Sequence, residues 1–330
     1  MKQDSAWATA EVVAADDLSP TVRALALRPL EGMNAWSVGS HLRVQVQVDG
    51  REETRHYSLT GLPADSRRDG VYRIAVKRAA AGRGGSRFMA GLLPGQHVAI
   101  AGPDNHFELP LAAPHLLLVA GGIGITALSG MALTLAARGA SFRLCQAARE
   151  PAELVFGALL QEALGERLQS FVGSAGQRLD LAAEIAALPP GSTMLVCGPM
   201  AMLQAAQDAW AAAGRPAADL RFETFGSGGA RPAESFWVRV LRHDLEVVVP
   251  PERSLLDVLA EHGVQALHDC RRGECGLCAL DVLEVKGEID HRDVFFSPAQ
   301  KQTNRQLCTC VSRVCGGGIV IDSPYRPDTL

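Results

Sequence analysis

The sequence is poor in aromatic residues and has neither a long hydrophobic run nor an excess of basic charge. Aromatics form 5% of the 330 residues, so the cores must be built largely from Ala, Val and Leu. The longest apolar runs, such as His115–Ala120 and Thr193–Cys197, are far shorter than the ~20 residues that a membrane helix requires. Lys and Arg total 32 against 36 Asp and Glu, which excludes a broad basic surface for nucleic acid. We therefore expect a cytoplasmic protein that binds neither membrane nor nucleic acid, since Met1–Ser5 shows no start of an export signal.

Cysteine is absent before Cys145, and the eight cysteines are unevenly distributed. Cys145 and Cys197 stand alone, whereas all the others lie within 270–315. A secreted disulfide framework would not leave so long a segment without cysteine. Clustered cysteines in a reducing compartment more often hold a metal, so the C-terminal part is a candidate metal domain.

Hydrophobic patterning predicts two different folds in the first two thirds of the chain. Leu42–Val48 alternates between apolar and polar residues and ends at Asp49-Gly50, a hairpin signal, which with other short strands favours a small antiparallel β-barrel. From about Pro114, continuous apolar runs such as His115–Ala120 alternate with helical segments. This alternation favours an α/β domain with a parallel sheet.

A glycine-rich segment, Gly226–Pro232, is the clearest linker in the sequence. Beyond it, two short strands and a helix precede the cysteine cluster. The expected limits are residues 1–110 for the barrel, 111–226 for the α/β domain, 227–235 for the linker and 236–330 for the cysteine-rich domain.

Three C-terminal cysteines have the spacing of a plant-type [2Fe–2S] ferredoxin. Cys270, Cys275 and Cys278 spell C-x4-C-x2-C, and we call the segment 270–278 the cysteine loop. Two irons need four thiolates, and glycines in the loop let backbone N–H groups approach the sulfurs. Either Cys308 or Cys310 must supply the fourth thiolate. A structural zinc site is the alternative, although zinc favours paired C-x2-C segments.

The chain resembles, over its whole length, the family of phthalate dioxygenase reductase and vanillate demethylase reductase. Besides the cysteine loop, the motifs that carry the resemblance are Arg55–Leu59, Val76–Arg78, Gly82–Ser86, Gly121–Thr126, Cys197–Pro199, Phe222–Gly226, His291–Asp293 and Cys310–Arg313. The resemblance implies a multidomain protein with a flavin-binding β-barrel, a NAD-binding α/β domain and an α+β, β-grasp-like [2Fe–2S] ferredoxin domain. It also implies Cys310 as the fourth ligand, because the family's last ligand begins a Cys-Val-Ser-Arg stretch.

The resemblance implies a flavin site at the end of a barrel strand. Arg55 can bind a phosphate with two N–H groups, Tyr57 can flank the flavin ring, and Ser58 can reach flavin N5, where hydride arrives. A solvated surface pair of Arg and Tyr is the alternative. Two phosphate-directed elements without an evident adenine platform imply FMN rather than FAD. The complete set is Arg55, His56, Tyr57, Ser58, Val76, Lys77, Gly84, Gly85 and Ser86.

A second nucleotide site is expected where buried strands end. A glycine turn between a strand and a helix can hold phosphate, and ligands bind at the carboxyl ends of parallel strands. The resemblance places Thr126 at the diphosphate, Cys197 beside nicotinamide C4, and Phe225 on the flavin ring. The alternatives are a glycine turn without a ligand and core roles for Cys197 and Phe225. The set comprises Gly121, Gly122, Thr126, Cys197, Gly198, Pro199 and Phe225.

Together, the residues and the resemblance predict an electron-transfer enzyme. A flavin accepts the two electrons of a hydride and releases them singly to an iron–sulfur cluster. Ala147–Glu150, where a 2′-phosphate pocket could form, has one Arg, which favours NADH over NADPH. Ser58, Cys197 and Phe225 are the expected residues at the reacting centre.

By resemblance, the electrons go to a separate Rieske-type oxygenase that hydroxylates or demethylates a small, aromatic acid. We expect a monomer that docks through charges of the cysteine loop, Arg271, Arg272 and Glu274. A freestanding NADH:acceptor oxidoreductase is the alternative in the same class. A redox-sensing electron-carrier protein is the alternative in another class.

Overall fold

The structure, a computed structural model, describes residues 6–48, 50–78, 84–225 and 231–322. It divides into two compact units, Met1–Glu223 and Thr224–Leu330. Three predicted features lie partly outside the described residues: Asp49 of the hairpin turn, Gly82 and Arg83 of the glycine turn, and 226–230 of the glycine-rich segment. Within the described ranges, no helix has the length and apolar character needed to cross a membrane.

The first unit begins with an antiparallel six-stranded sheet. Its strand order is β4-β3-β6-β1-β2-β5, and a bridge between Leu59 and Ile74 joins the two edge strands. Leu42, Val44 and Val46 point into the core and are fully buried, so the predicted barrel and its alternating strand are confirmed. The elements are β1 (Ala8–Ser19), β2 (Val22–Pro29), β3 (Ser40–Val48), β4 (Arg51–Ser58), α1 (Pro63–Asp69), β5 (Tyr72–Lys77), α2 (Gly85–Ala90) and β6 (His97–Asn105).

A tight hairpin joins β3 to β4 and sets the position of the expected flavin residues. Val48 pairs with Arg51 at the turn, and His41 pairs with Ser58 at the far end. Arg55, Tyr57 and Ser58 therefore occupy the second half of β4, beside the point where Leu59 bridges to β5.

The second half of the first unit is a five-stranded parallel sheet with the order β11-β10-β7-β8-β9. Every residue of β7 and β10 is buried, as inner strands of a parallel sheet require, which confirms the predicted α/β fold. The elements are β7 (Leu116–Gly121), α3 (Ile125–Ala137), β8 (Phe142–Ala148), α4 (Gly157–Leu164), β9 (Leu168–Val172), α5 (Leu181–Ala186), β10 (Thr193–Cys197), α6 (Met200–Ala212) and β11 (Leu220–Glu223).

The strand order of this sheet reverses between β7 and β10. The chain leaves β7 toward β8 on one side and reaches β10 on the other. The turns that follow β7 and β10 consequently lie side by side at the carboxyl edge, where ligands of open α/β sheets bind.

The second unit is a mixed sheet with the order β13-β12-β16-β14-β15, in which only β12 and β16 run parallel among the described strands. Its core joins Phe236 and Val238 of the sheet to Leu255 and Leu259 of a helix. This confirms the expected α+β ferredoxin-type fold. The elements are β12 (Phe236–Val240), β13 (Leu245–Val249), α7 (Leu255–Glu261), β14 (Ala279–Asp290), α8 (Pro298–Thr303), β15 (Gln306–Cys308) and β16 (Arg313–Asp322).

Candidate redox site

Four cysteines of the second unit form two close pairs. Cys270 and Cys275 share a hydrogen bond, which lowers the pKa of the Cys275 thiol. The Cys278 and Cys310 sulfurs lie 3.2 Å apart. In the described part of the chain, no three potential ligand side chains converge on one point as a single metal ion would require. Two pairs of thiols fit a binuclear cluster with four cysteine ligands, because each iron then takes two thiolates.

Backbone N–H groups of the cysteine loop point at the Cys270 sulfur. The amides of Arg272, Glu274 and Cys275 each lie 3.4 Å from Cys270 Sγ. Donors in this arrangement stabilise the negative charge that an iron–sulfur cluster places on its sulfur ligands. The loop thus fits the group that its spacing predicts.

Gly273 allows the loop to pack tightly against the segments behind it. Its φ is +75°, and a Cβ atom built on it would lie 2.7 Å from Val311 Cγ2 and 2.8 Å from Asp293 Cα. The Val294 N–H also donates to the Gly273 carbonyl at 2.9 Å. A residue with a side chain would push the loop away from these two segments.

Both candidate fourth ligands contact Cys278, and Cys310 also contacts the backbone of the cysteine loop. Hydrogen bonding to Cys278 and burial raise the pKa of Cys310, and a hydrogen bond from the Gly273 N–H opposes that increase. Cys308 ends β15 opposite Ala279 of β14 and is fully buried. Cys310 as the fourth ligand stays the prediction that the resemblance implies.

The motifs 291–293 and 310–313 meet behind the cysteine loop and support it. Asp293 is buried and accepts hydrogen bonds from Ser312 Oγ at 3.2 Å and from the Phe296 N–H at 2.9 Å. The buried Arg313 guanidinium donates to the carbonyl of Arg253 at 2.6 Å. These residues position the loop.

The expected docking charges are only partly available. Arg272 and Glu274 form an ion pair at 3.0 Å with 11% of each side chain exposed, whereas Arg271 is 41% exposed and lies 3.3 Å from Asp257 Oδ1. Glu274 also accepts hydrogen bonds from the Thr224 N–H at 2.6 Å and the Thr224 hydroxyl at 2.8 Å. Docking through these charges stays a prediction, with Arg271 the most exposed of the three side chains.

In the barrel, Arg55 lies directly against the start of α2. A Cβ atom built on Gly85 would lie 2.6 Å from Arg55 Nε, so a side chain at this position would displace the guanidinium. Gly84 adopts a φ of +89° at this turn. The structure thus brings together the two phosphate-directed elements that the sequence predicts, and they fit a flavin phosphate.

Burial and contacts differ among the other expected flavin residues, which are Tyr57, Val76, His56 and Lys77. Burial raises the pKa of Tyr57 to about 12, although the Arg55 charge lowers it. Val76 is buried in the barrel core, so only its backbone can reach a cofactor. The His56 ring centroid lies 5.0 Å from that of His41. Lys77 pairs with Glu153 of the α/β part, with 3.2 Å between Nζ and Oε1.

The two turns at the switch point of the parallel sheet are packed through their glycines. A Cβ atom on Gly124 would lie 2.0 Å from the Cys197 carbonyl oxygen, and the Cβ position of Gly198 lies 3.1 Å from Gly121 Cα. Pro199 stands at the N-cap of α6 and would contact a side chain at Gly121. The sequence-predicted residues of both turns are therefore brought together.

Ser58 of the barrel reaches the carboxyl ends of β10 and β11. Its hydroxyl donates to Glu223 Oε2 at 3.2 Å, and both side chains are buried. Glu223 is the register partner of Cys197. Sequence reasoning missed Glu223, although it stands in the Phe222–Gly226 motif that marked the resemblance.

For three residues, Cys197, Thr126 and Phe225, the neighbouring groups do not test the expected contact with a cofactor. Cys197 is fully buried in the core of the α/β part. The Thr126 hydroxyl donates to the Ile123 carbonyl at 2.9 Å, within its own turn. Phe225 belongs to the second unit and is 40% exposed. Their roles at the nucleotide and the flavin stay predictions.

Comparison with known proteins identifies the modules. Residues 9–109 match the oxidoreductase FAD-binding domain, and residues 238–315 match the 2Fe-2S iron-sulfur cluster binding domain. A phthalate 4,5-dioxygenase reductase subunit from Pseudomonas putida is 32% identical, with 97% of this chain and 98% of the relative covered. The chain belongs to the phthalate dioxygenase reductase family.

Other relatives extend this picture of the phthalate dioxygenase reductase family. A heme-dependent oxidative N-demethylase beta subunit from Ectopseudomonas mendocina is 35% identical over 94% of this chain and 97% of the relative. The solved structure of a phthalate dioxygenase reductase, described as a modular structure for electron transfer from pyridine nucleotides to [2Fe-2S], is 29% identical. It matches with a TM-score of 0.77 over 96% of this chain and 98% of that one.

Membership in the phthalate dioxygenase reductase family confirms the predicted class of activity and the predicted kinds of cofactor. The chain is an oxidoreductase that combines a flavin module, a pyridine-nucleotide module and a [2Fe–2S] ferredoxin module. Relatives in this family include reductase subunits of oxygenase systems.

Proposed function

We propose that this chain is the reductase component of a Rieske-type oxygenase system and passes electrons from NADH through FMN and a [2Fe–2S] cluster to a separate oxygenase. The contact of Ser58 with Glu223, next to Cys197, carries the proposal. It joins the flavin residues of the barrel to the carboxyl edge of the nucleotide sheet. When bound, the flavin accepts hydride and passes electrons on singly, and the cluster carries one electron at a time.

The residues of β4 and α2 bind and orient the flavin in this proposal. Arg55 and the turn Gly84–Ser86 hold its phosphate, Tyr57 covers a face of the ring, and Ser58 lies at N5. The contact between Arg55 and Gly85 supports the first assignment. His56, Val76 and Lys77 complete the expected flavin set. FMN is the flavin that suits a site for a single phosphate.

The residues at the carboxyl edge bind the dinucleotide. The turn Gly121–Thr126 holds the diphosphate, and Cys197–Pro199 lies at the nicotinamide. Glu223 fixes the Ser58 hydroxyl and excludes water from it, since both groups are buried. Hydride transfer between two rings needs orientation and no general acid or base, which agrees with a site built from backbone turns.

In the second unit, Cys270, Cys275, Cys278 and Cys310 are the proposed cluster ligands. We further propose that the chain acts as a cytoplasmic monomer with the domain limits 1–110, 111–226, 227–235 and 236–330. Its oxygenase acts on a small, aromatic acid, and Arg271 contributes to docking because its side chain is exposed.

Anaerobic titration of the purified full chain with NADH tests this function. We expect visible bleaching of the flavin and a rhombic EPR signal of the reduced cluster, followed by transfer to a purified Rieske-type oxygenase. Flavin released by heat should be FMN on chromatography. Transfer only to quinones or dyes would favour the freestanding reductase, and one reduction without turnover would favour a redox sensor. Absence of bleaching would refute all of these assignments.

A haem-containing oxygenase is the second candidate partner. The similarity to the beta subunit of a heme-dependent N-demethylase over nearly the full length of both chains favours it. The same reduced protein, mixed separately with a Rieske-type oxygenase and a haem oxygenase, distinguishes the two by which acceptor is reduced at catalytic rate.

A further inference from the structure

Lys77 lies at the boundary between the barrel and the parallel sheet. It is the last residue of β5, and β5 contacts the turn Gly122–Gly124 that follows β7. A Cβ atom built on Gly122 would lie 4.0 Å from Lys77 Nζ, the nearest heavy atom outside Gly122 and its two chain neighbours. The ammonium group therefore stands beside the turn proposed to hold the diphosphate.

Glu153 holds the same ammonium group from the neighbouring loop. Its Oε1 lies 3.2 Å from Lys77 Nζ, and it ends the turn Pro151–Glu153 that follows β8. Because β7 and β8 are parallel neighbours, both turns lie at the carboxyl edge of the sheet. Lys77 thus sits between a carboxylate and a phosphate-binding turn.

This ion pair can be exchanged at little cost. The side chains of Lys77 and Glu153 are 41% and 20% exposed, and ion pairs at such exposure contribute little net stability. A diphosphate carries more negative charge than one carboxylate and offers several acceptor oxygens to an ammonium group. An incoming dinucleotide can therefore displace Glu153 from Lys77.

We infer that Lys77 is a ligand of the dinucleotide diphosphate and that Glu153 competes for it in the free protein, so that the pair sets the affinity for the pyridine nucleotide. This inference rests on the proposed function and changes one of its assignments, because the resemblance grouped Lys77 with the flavin residues. Glu153 acts as a positioning residue, through Lys77.

Calorimetric titration of the flavin-loaded full chain with ADP-ribose tests the inference. ADP-ribose carries the diphosphate and cannot reduce the flavin, and adenosine serves as the probe without a diphosphate. Lys77→Gln should weaken ADP-ribose binding about three- to tenfold, as expected for one partly exposed charge-assisted contact. Glu153→Gln should tighten it about two- to threefold, the range of an exposed ion pair. Adenosine binding should change in neither variant.

The double variant separates competition from a general charge effect. In the Lys77→Gln background, Glu153→Gln should no longer tighten ADP-ribose binding. Lys77→Arg should keep most of the affinity, which shows that the loss in Lys77→Gln is not misfolding. Lys286→Gln and Glu162→Gln are the controls for net charge, because they make the same changes in charge elsewhere in the chain. Neither should change the affinity for ADP-ribose.

Each contrary result has a distinct meaning. Unchanged ADP-ribose affinity in Lys77→Gln and Glu153→Gln, with normal flavin bleaching by NADH, would overturn the inference and leave the proposed function intact. Loss of flavin from Lys77→Gln, detected by its absorbance after gel filtration, would also overturn it and return Lys77 to the flavin site. If the wild-type protein binds no ADP-ribose and is not reduced by NADH, the proposed function itself fails.

Discussion

Replacing Gly124 by alanine should disrupt the junction of the two turns at the carboxyl edge. The added Cβ atom would lie 2.0 Å from the Cys197 carbonyl oxygen and 2.9 Å from the Gly198 nitrogen. Both obstacles are backbone atoms, so no side-chain rotation relieves the clash and one turn must move. Overpacking of a well-packed site typically costs about 1–3 kcal/mol of unfolding free energy.

Thermal unfolding of the flavin-loaded full chain measures this cost. For a unit of this size, each kcal/mol lowers the melting temperature by about 2–4 °C. ADP-ribose affinity should fall as well, since the displaced backbone belongs to the proposed diphosphate turn. Gly157→Ala is the control: Gly157 begins α4, its nearest neighbour is Leu154 Cβ at 3.5 Å, and alanine there should be neutral or slightly stabilising. Equal melting temperatures for Gly124→Ala and the wild type would refute the reasoning.

Three further predictions concern the polar groups of the site. Glu223→Gln weakens the acceptor of the buried Ser58 hydroxyl, so stopped-flow bleaching of the flavin by NADH should slow about tenfold, and Ser58→Ala should act in the same direction with flavin content unchanged. Cys310→Ser should remove the EPR signal and the iron of the cluster, whereas Cys308→Ser should keep both; the opposite pattern would contradict the ligand assignment. Burial opposes ionisation of Asp293, but hydrogen bonds and nearby positive charges lower its pKa overall. A carboxyl group with a lowered folded-state pKa stabilises the fold above its unfolded pKa of about 4 and loses this effect as the pH falls through the folded value. Asp293→Asn should therefore flatten the acid side of the urea-unfolding profile, and a profile as steep as that of the wild type would show that other groups control it.

Strands with a regular pattern could be predicted from the sequence. Leu42–Val48 alternates and lies in β3, and the continuous apolar run from Thr193 to Cys197 has the bounds of β10. In both cases, the burial of each residue follows directly from its position in a half-buried or fully buried strand. Local pattern and tertiary burial agree, so the sequence alone is sufficient there.

Strands whose pattern is interrupted could not be predicted in this way. In β1, the register with β2 shifts between Val12 and Ala14, so the alternation breaks at an irregularity. Most of β14 is exposed, with Glu284–Glu288 all on the surface, and its strand form depends on pairing with β16. A strand that depends on such long-range pairing has no local periodicity from which it could be predicted.

The candidate site shows the same limit. Cysteine spacing and the glycine turns predicted which backbone segments come together, because both constrain the local backbone. Glu223 could not be assigned a role from the sequence, since its contact with Ser58 joins residues far apart in the chain. The pairing of Arg272 with Glu274 likewise depends on a loop conformation that charge alone does not specify.

Close-packed glycines lie at all three proposed cofactor positions. Gly85 lies against Arg55, Gly124 against Cys197, and Gly273 against Asp293, each at a distance that a Cβ atom would violate. Electron transfer depends on fixed distances between cofactors more than it depends on proton donors or acceptors. Close backbone packing therefore contributes to this chain what ionisable side chains contribute to acid–base enzymes. Alanine at these glycines should therefore impair electron transfer more than loss of a polar group such as the Thr126 hydroxyl, which donates to a carbonyl of its own turn. Stopped-flow reduction of the cluster by NADH in Gly124→Ala and Thr126→Val compares the two, and a slower rate in Thr126→Val would contradict this view.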